Sequence, residues 1–123
     1  MANKRIVHFE IPATDTEALT KFYTALFGWK IEKAPMPGWD YWVCRTGEGL
    51  GIDGGIMKRV DPKQTVTNYV SVDDIGPVLE QAKKLGATVV VAKSPVQGMG
   101  WFSVALDPQG NPFGLWQDDK SAK

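Results

Sequence analysis

One capped-helix pattern occurs twice in this chain, at the same length both times. Thr14 and Asp15 offer side-chain oxygens to the free amides that open a helix, and Gly28 follows Asp15 by thirteen residues as the stop. Asp73 and Asp74 cap a second helix, and Gly86 follows Asp73 by the same thirteen residues. Leu19, Phe22, Tyr23, Leu26 and Phe27 recur at helical spacing in the first, and Ile75, Val78, Leu79, Ala82 and Leu85 in the second. Each helix is flanked by short β-rich runs. Before the first lies the alternating run of residues 5–11, stopped by Pro12. After it come residues 29–33, a turn at Pro35-Met36-Pro37-Gly38, residues 41–45, a glycine-rich turn and residues 54–58. The second half repeats the order with strands at 66–72, 88–92, 101–106 and 113–117, and turns at 95–100 and 107–110. Eight short strands and two helices in this order predict an α+β fold of two tandem βαβββ modules, residues 5–60 and 65–118, within one domain of residues 1–123. The Pro-marked polar stretch Asp61-Pro62-Lys63-Gln64 is the expected junction. Side-chain identity between the halves is weak, so the repeat is one of architecture.

Charge and cysteine usage narrow the functional classes. Lys plus Arg equals Asp plus Glu at 14 each, giving no net charge. That argues against a nucleic-acid or anionic-membrane partner, both of which need a basic surface. A lone cysteine, Cys44, allows no intrachain disulfide and reads as a buried inert thiol. The opening MANKRIVHFE lacks the apolar stretch of a signal peptide, and no apolar run reaches membrane-spanning length, so a cytoplasmic location is expected. The cluster GEGLGIDGG at residues 47–55 is hairpin-turn chemistry, since no Lys-Ser/Thr follows and no helix opens there. Trp29, just past the helix stop, is expected to pack. Trp39 is expected to be exposed, and the terminal QDDKSAK to fray.

Three segments carry a resemblance to a known family. "HFEIPATDTEALTKFYTALFGWKI", "YVSVDDI" followed by "AKKLGA", and "ALDPQGNPFGLWQ" together resemble the vicinal oxygen chelate superfamily of glyoxalases, bleomycin-resistance proteins and dioxygenases, over nearly the whole chain. The resemblance implies that the modules form a concave eight-stranded mixed sheet with the helices packed outside. It further implies a small-molecule ligand in the concavity, and a homodimer as the common assembly. Many members hold a divalent metal there through four His, Glu or Gln side chains. The matching positions here are His8, Gly55, Thr67 (with Asn68 beside it) and Gly114, so only the first keeps a good donor. The expectation is therefore no metal or other cofactor, with a displaced set of His8, Glu10, Asp53 and Gln117 as the lesser possibility.

Without a metal, what remains is a hollow lined by ring systems and a few polar groups. Alternation puts Ile6, His8 and Glu10 on one face of the first strand and Val7, Phe9 and Ile11 on the other. By the family register Gly114 faces the concavity, with Trp116 beside it, leaving space for a ligand. The second module's first strand adds Thr67, Tyr69 and Ser71. The third strand adds either Tyr41 and Val43 or Trp42 and Cys44. The expected ligand-binding residues are thus His8, Tyr69, Gly114 and Trp116. His8 is the sole histidine and the leading general base or acid, with Glu10 to orient it. The plain alternatives are a hydrogen-bonded histidine near the core and a salt-bridged Glu10. Three functions fit: a metal-independent binder of a small aromatic or amphipathic molecule, of the bleomycin-resistance kind; a lyase, isomerase or oxygenase of the same superfamily; or an assembly module.

Overall fold

A computed structural model describes residues 2–36 and 38–123. Its elements run β1 (Ile6–Ala13), α1 (Thr16–Phe27), β2 (Lys30–Lys33), β3 (Tyr41–Arg45), β4 (Gly54–Lys58), β5 (Thr67–Ser71), α2 (Ile75–Lys84), β6 (Thr88–Val96), β7 (Gly100–Leu106) and β8 (Pro112–Asp118). The βαβββ order thus occurs twice and the fold class is α+β, as the caps and stops predict. The expected turn at 35–38 includes Pro37, which lies outside the described residues.

The chain divides into two compact units, His8–Val66 and Met1–Val7 with Thr67–Lys123. In the first, the strands stand in the order β2-β3-β4-β1. β1 and β4 pair in parallel, while β2–β3 and β3–β4 are antiparallel. In the second the order is β5-β8-β7-β6, with β5–β8 parallel and β8–β7 and β7–β6 antiparallel. The repeated architecture therefore extends to pairing sense: β1, β4, β3 and β2 correspond to β5, β8, β7 and β6. Parallel pairing of each module's first and last strands needs a crossover, and the helix and inner hairpins supply it.

The caps act as their chemistry dictates. Asp15 accepts from the Ala18 amide at 3.0 Å, and Gly28 closes α1 in the left-handed region at φ 72, donating to Thr24 O. Asp74 accepts from the Gly76 amide at 3.2 Å. Gly86 adopts φ 104 just past the end of α2. There the helices diverge. α2 buries Ile75 and Leu79 in a core with Val72 and Leu115, against which Val70, Val78, Val89, Trp101 and Phe113 pack. α1 buries no residue fully. The predicted apolar face of α1 is split: Leu19 and Tyr23 are half-buried, whereas Phe22, Leu26 and Phe27 are exposed. Tyr23 instead stacks on Trp29, with ring centroids 5.1 Å apart and planes 13° apart. Trp29 also meets Phe9 of β1 and Phe27, so it packs as expected and ties the helix end to the sheet.

Two expectations are corrected. The strand predicted at 88–92 continues to Val96, through part of the expected turn, because Ser94, Pro95 and Val96 still oppose Phe102, Trp101 and Gly100. Two register shifts between Val89 and Ser94 absorb two extra residues of β6, and the edge position of β6 tolerates Pro95, which has no amide to donate. The carboxy-terminal tail does not fray. Asp119 N donates to Met99 O, Gly98 N donates to Ala122 O, and Ala122 is buried. Asp119 also accepts from the Trp101 indole at 2.9 Å and from Ser121, which holds its carboxyl down at about 2.

Ser103 is a weakness in the α2 side. It is fully buried opposite Leu115, and its hydroxyl has no hydrogen-bond partner. An unsatisfied buried hydroxyl costs roughly 1–3 kcal/mol. Ser103→Ala should therefore raise stability by about 1 kcal/mol, read as a higher denaturant midpoint at unchanged slope. A lower midpoint would show that the hydroxyl is satisfied in solution.

Candidate functional site

The pairing register settles which side chains share a face. Phe9 of β1 reaches Trp29 on the helix side, so His8 and Glu10 stand on the opposite face. Glu10 pairs with Gly55 and Pro12 with Met57, while across β4 Gly55 pairs with Val43 and Met57 with Tyr41. Of the two possibilities for β3, Tyr41 and Val43 therefore share the face of His8 and Glu10. Trp42 and Cys44 stand on the helix side. Cys44 is fully buried there, and burial together with the Asp53 charge pushes its thiol up to about 11. Both keep it in the protonated thiol form, the less reactive state.

Tyr41 crosses from β3 over β4 toward β1. Its hydroxyl lies 2.6 Å from His8 Nε2, and the two rings are stacked at a 6.3 Å centroid separation. Gly55 makes this crossing possible. A Cβ there would lie 2.0 Å from Tyr41 Oη and 2.1 Å from Cζ, closer than atoms can approach. Burial holds the imidazole below its usual value of 6.5, against the raising influence of the Asp53 carboxylate. His8 is thus neutral at pH 7. Its Nε2 either accepts the phenol proton or donates to the phenol oxygen, according to tautomer. Asp53 itself is engaged locally, accepting from the Thr46 amide at 2.9 Å and from its hydroxyl at 3.3 Å.

The other unit carries a comparable arrangement. Thr67, Tyr69 and Ser71 alternate onto one buried face of β5, with Val70 on the α2 side. On β8, Phe113 packs toward α2 and Gly114 and Trp116 face away, as alternation predicts. Tyr69 pairs with Gly114, and a Cβ on Gly114 would lie 2.3 Å from Tyr69 Cδ2. The expectation of open space above Gly114 is therefore corrected: a buried tyrosine ring fills it. The Trp116 indole donates to Asp118 at 2.8 Å, and its ring edge covers Gly100 in the same way.

The donor set for a metal does not assemble. Gln117 pairs with Trp101, and its side-chain oxygen accepts from the Ile75 amide at 2.9 Å, capping α2. It is committed to the helix side of its own unit, which breaks the displaced set. Among the described residues no three His, Cys, Asp or Glu side chains lie close enough to share a metal ion. At the family's second and fourth ligand positions, Gly55 and Gly114 are covered by tyrosine rings, so the residues present do not fit the superfamily's metal. The residue that sequence reasoning missed is Tyr41. The open alternative on β3 contained it, and only the register selects it.

Comparison with known proteins now has a geometry to rest on. A family model described as a glyoxalase-like domain matches residues 7–116. A Didymella fabae protein described as glyoxylase-like domain-containing is 32% identical over 119 residues, covering 93% of this chain and 85% of that one. CFP32 of Mycobacterium tuberculosis, named provisionally as a glyoxylase, is 29% identical over 118 residues, covering 90% of this chain. The chain spans only 44% of that protein's length. A solved glyoxalase/bleomycin resistance protein/dioxygenase superfamily member from Vibrio splendidus superposes with a TM-score of 0.62 at 19% identity, covering 95% of this chain and 100% of that one. At that identity the likeness speaks for the fold alone. No helix among the described residues is long and apolar enough to cross a membrane.

Two outcomes are expected. Gly55→Ala should destabilise by roughly 1–3 kcal/mol, because the new methyl meets the Tyr41 ring. Combined with Tyr41→Leu, the loss should be less than the sum of the singles, a coupling measurable by a double-mutant cycle. Additivity would mean that the ring does not lie over Gly55. The second outcome concerns pH. The native pKa of His8 lies below the unfolded value, so below about 6.5 the unfolded chain binds more protons. The stability this group contributes is complete above that value and is lost as pH falls toward the native pKa. His8→Gln should flatten the fall in melting temperature between about pH 7 and 5, a window above the carboxylate range. An unchanged slope would refute the burial-shifted imidazole.

Proposed function

The chain belongs to the glyoxalase-like domain family, and on that premise we propose that it binds a small aromatic or amphipathic molecule on the His8 face of its sheet, without a metal. The observation that supports this most is the 2.6 Å contact of His8 Nε2 with Tyr41 Oη above Gly55. It combines ring surface for burial with a polar pair that can fix a ligand's orientation. His8 and Tyr41 are the binding groups, with Glu10 on the same face as the neighbouring charge. Tyr69, Gly114 and Trp116 form the corresponding face of the other unit, where ring surface predominates and the Trp116 indole is already anchored to Asp118.

A second reading draws on the same pair. A neutral imidazole at pH 7 hydrogen-bonded to a phenol is in the protonation state a general base needs, and Glu10 stands two residues along the same face. On this reading the chain is an enzyme of the glyoxalase/dioxygenase superfamily acting on a small metabolite, with proton transfer at His8 rather than Lewis-acid chemistry.

Thermal melts across a panel of phenols, benzoates and small oxo-acids test the binding reading. A ligand of the native state raises stability by about 2.7 kcal/mol at one hundred times its Kd. The expected outcome is a hit whose affinity falls at least tenfold in both His8→Ala and Tyr41→Phe. A panel without hits, or hits indifferent to both variants, would sink the proposal. Turnover of a hit that disappears in His8→Gln while binding persists would favour the enzyme.

A further inference from the structure

The mismatch between the superfamily's metal and these residues has a specific physical form. At Gly55 the issue is more than a missing donor. The space a donor side chain would occupy is filled by the Tyr41 ring, whose hydroxyl and Cζ lie where a Cβ would have to be. Tyr41 is itself buried, so the ring is packed in place. The same hydroxyl takes His8 Nε2 at 2.6 Å. A ring nitrogen binds a metal through its lone pair. If Nε2 accepts the phenol proton, that lone pair is used; if Nε2 carries the proton, it has none to give. Both tautomers therefore withdraw Nε2 of the one retained family donor from metal binding. Glu10 and Asp53 do not restore a set, since no three such side chains converge among the described residues and Asp53 holds the Thr46 turn.

We infer that Tyr41 stands in the place of a metal donor in this chain: its phenol fills the coordination space over Gly55 and binds His8 Nε2, making a His–Tyr pair the resident polar group of the site. The inference deepens the metal-free reading above and rests on it for the site's location. It also defines the ligand chemistry. Such a pair engages a single oxygen or nitrogen of a ligand by hydrogen bonding. It gives no advantage to the paired oxygens that a chelating ligand brings to a metal.

His8 is the only histidine of the 123 residues, so its ring signals in the 15N-labelled chain are unambiguous. The experiment follows those signals after chelator treatment, as Ni2+ is added. In the wild type they should not broaden at one equivalent of Ni2+. Tyr41→Phe should shift the Nε2 resonance, because the ring stays while the hydrogen bond is lost. Tyr41→Ala should open His8 to Ni2+, with broadening that chelator reverses. Adding Gly55→Glu to Tyr41→Ala should tighten Ni2+ binding by roughly tenfold or more, since a carboxylate then joins the imidazole. Should the alanine variants unfold, Tyr41→Leu serves the same purpose. Stoichiometric Ni2+ broadening of wild-type His8 would overturn the inference. So would Tyr41 variants that fold but leave His8 closed to Ni2+, or a Tyr41→Phe variant with an unmoved Nε2 signal. The two proposals fail separately: Ni2+ binding to the wild type defeats this one whatever the ligand panel shows, and a blank panel defeats the binding reading whatever Ni2+ does.

Discussion

A tyrosine ring packed over a strand glycine is the contact that decides what else each face can carry. In each unit the parallel strand pair presents such a glycine, Gly55 on β4 and Gly114 on β8. Neither is needed for unusual backbone geometry; both lie within regular strands outside the positive-φ set. They are needed because any side chain there would collide with Tyr41 or Tyr69 at 2.0–2.3 Å. The tyrosine and a side chain at the glycine position are thus mutually exclusive, and choosing one excludes the other's chemistry. Here the choice is the ring. It gives apolar surface and one hydroxyl, and it removes the carboxylate or imidazole that a metal would require.

The electrostatics follow from that choice. A histidine bound to a metal or paired to a carboxylate is held for a cation or by an anion. His8 faces a phenol, and burial dominates its pKa. Asp53, the nearby charge that opposes burial, spends its hydrogen-bonding capacity on the Thr46 turn. Cys44, two strands from β1 and on the opposite face, has its thiol pushed up by burial first and by the same Asp53 charge second. The result is a face on which a partly buried, neutral imidazole meets a phenol, with Glu10 two residues along the same strand.

The sequence exposes the scaffold more readily than the site, for a physical reason. Caps, stops and strand alternation are local, so Asp15, Gly28, Asp74 and the in-out pattern of Phe113, Gly114 and Leu115 could be read from neighbours in the chain. What Tyr41 does depends on register with β4 and β1, which local alternation leaves open by one residue, and one residue exchanges the faces. The same non-locality hid the role of Gln117. Its side chain caps a helix forty-two residues away. It also hid the anchoring of the tail, where Ala122 and Asp119 bond to the β6–β7 turn. The space over Gly114 was misjudged for a different reason. A glycine was read as a vacancy, when in a packed sheet it more often marks where another group comes close.

The two glycines correspond by architecture, yet they are covered from different sides. Gly114 is covered by Tyr69 from β5, the strand that corresponds to β1. Gly55 is covered by Tyr41 from β3, the strand on its other flank. This difference creates a chemical asymmetry between the halves. Where the ring comes from the first strand, as in the second module, that strand's remaining residues on the face are Thr67 and Ser71, which do not titrate near neutral pH. Where the ring comes from β3, the first strand is left to carry His8 and Glu10, and the ring reaches across to hydrogen-bond the imidazole. One steric rule applied from opposite flanks therefore leaves the first module with the chain's one neutral-range titrating group and the second with aromatic and hydroxyl surface. The imidazole–phenol pair therefore stands in the first module, while the corresponding face of the second carries Thr67, Tyr69 and Ser71.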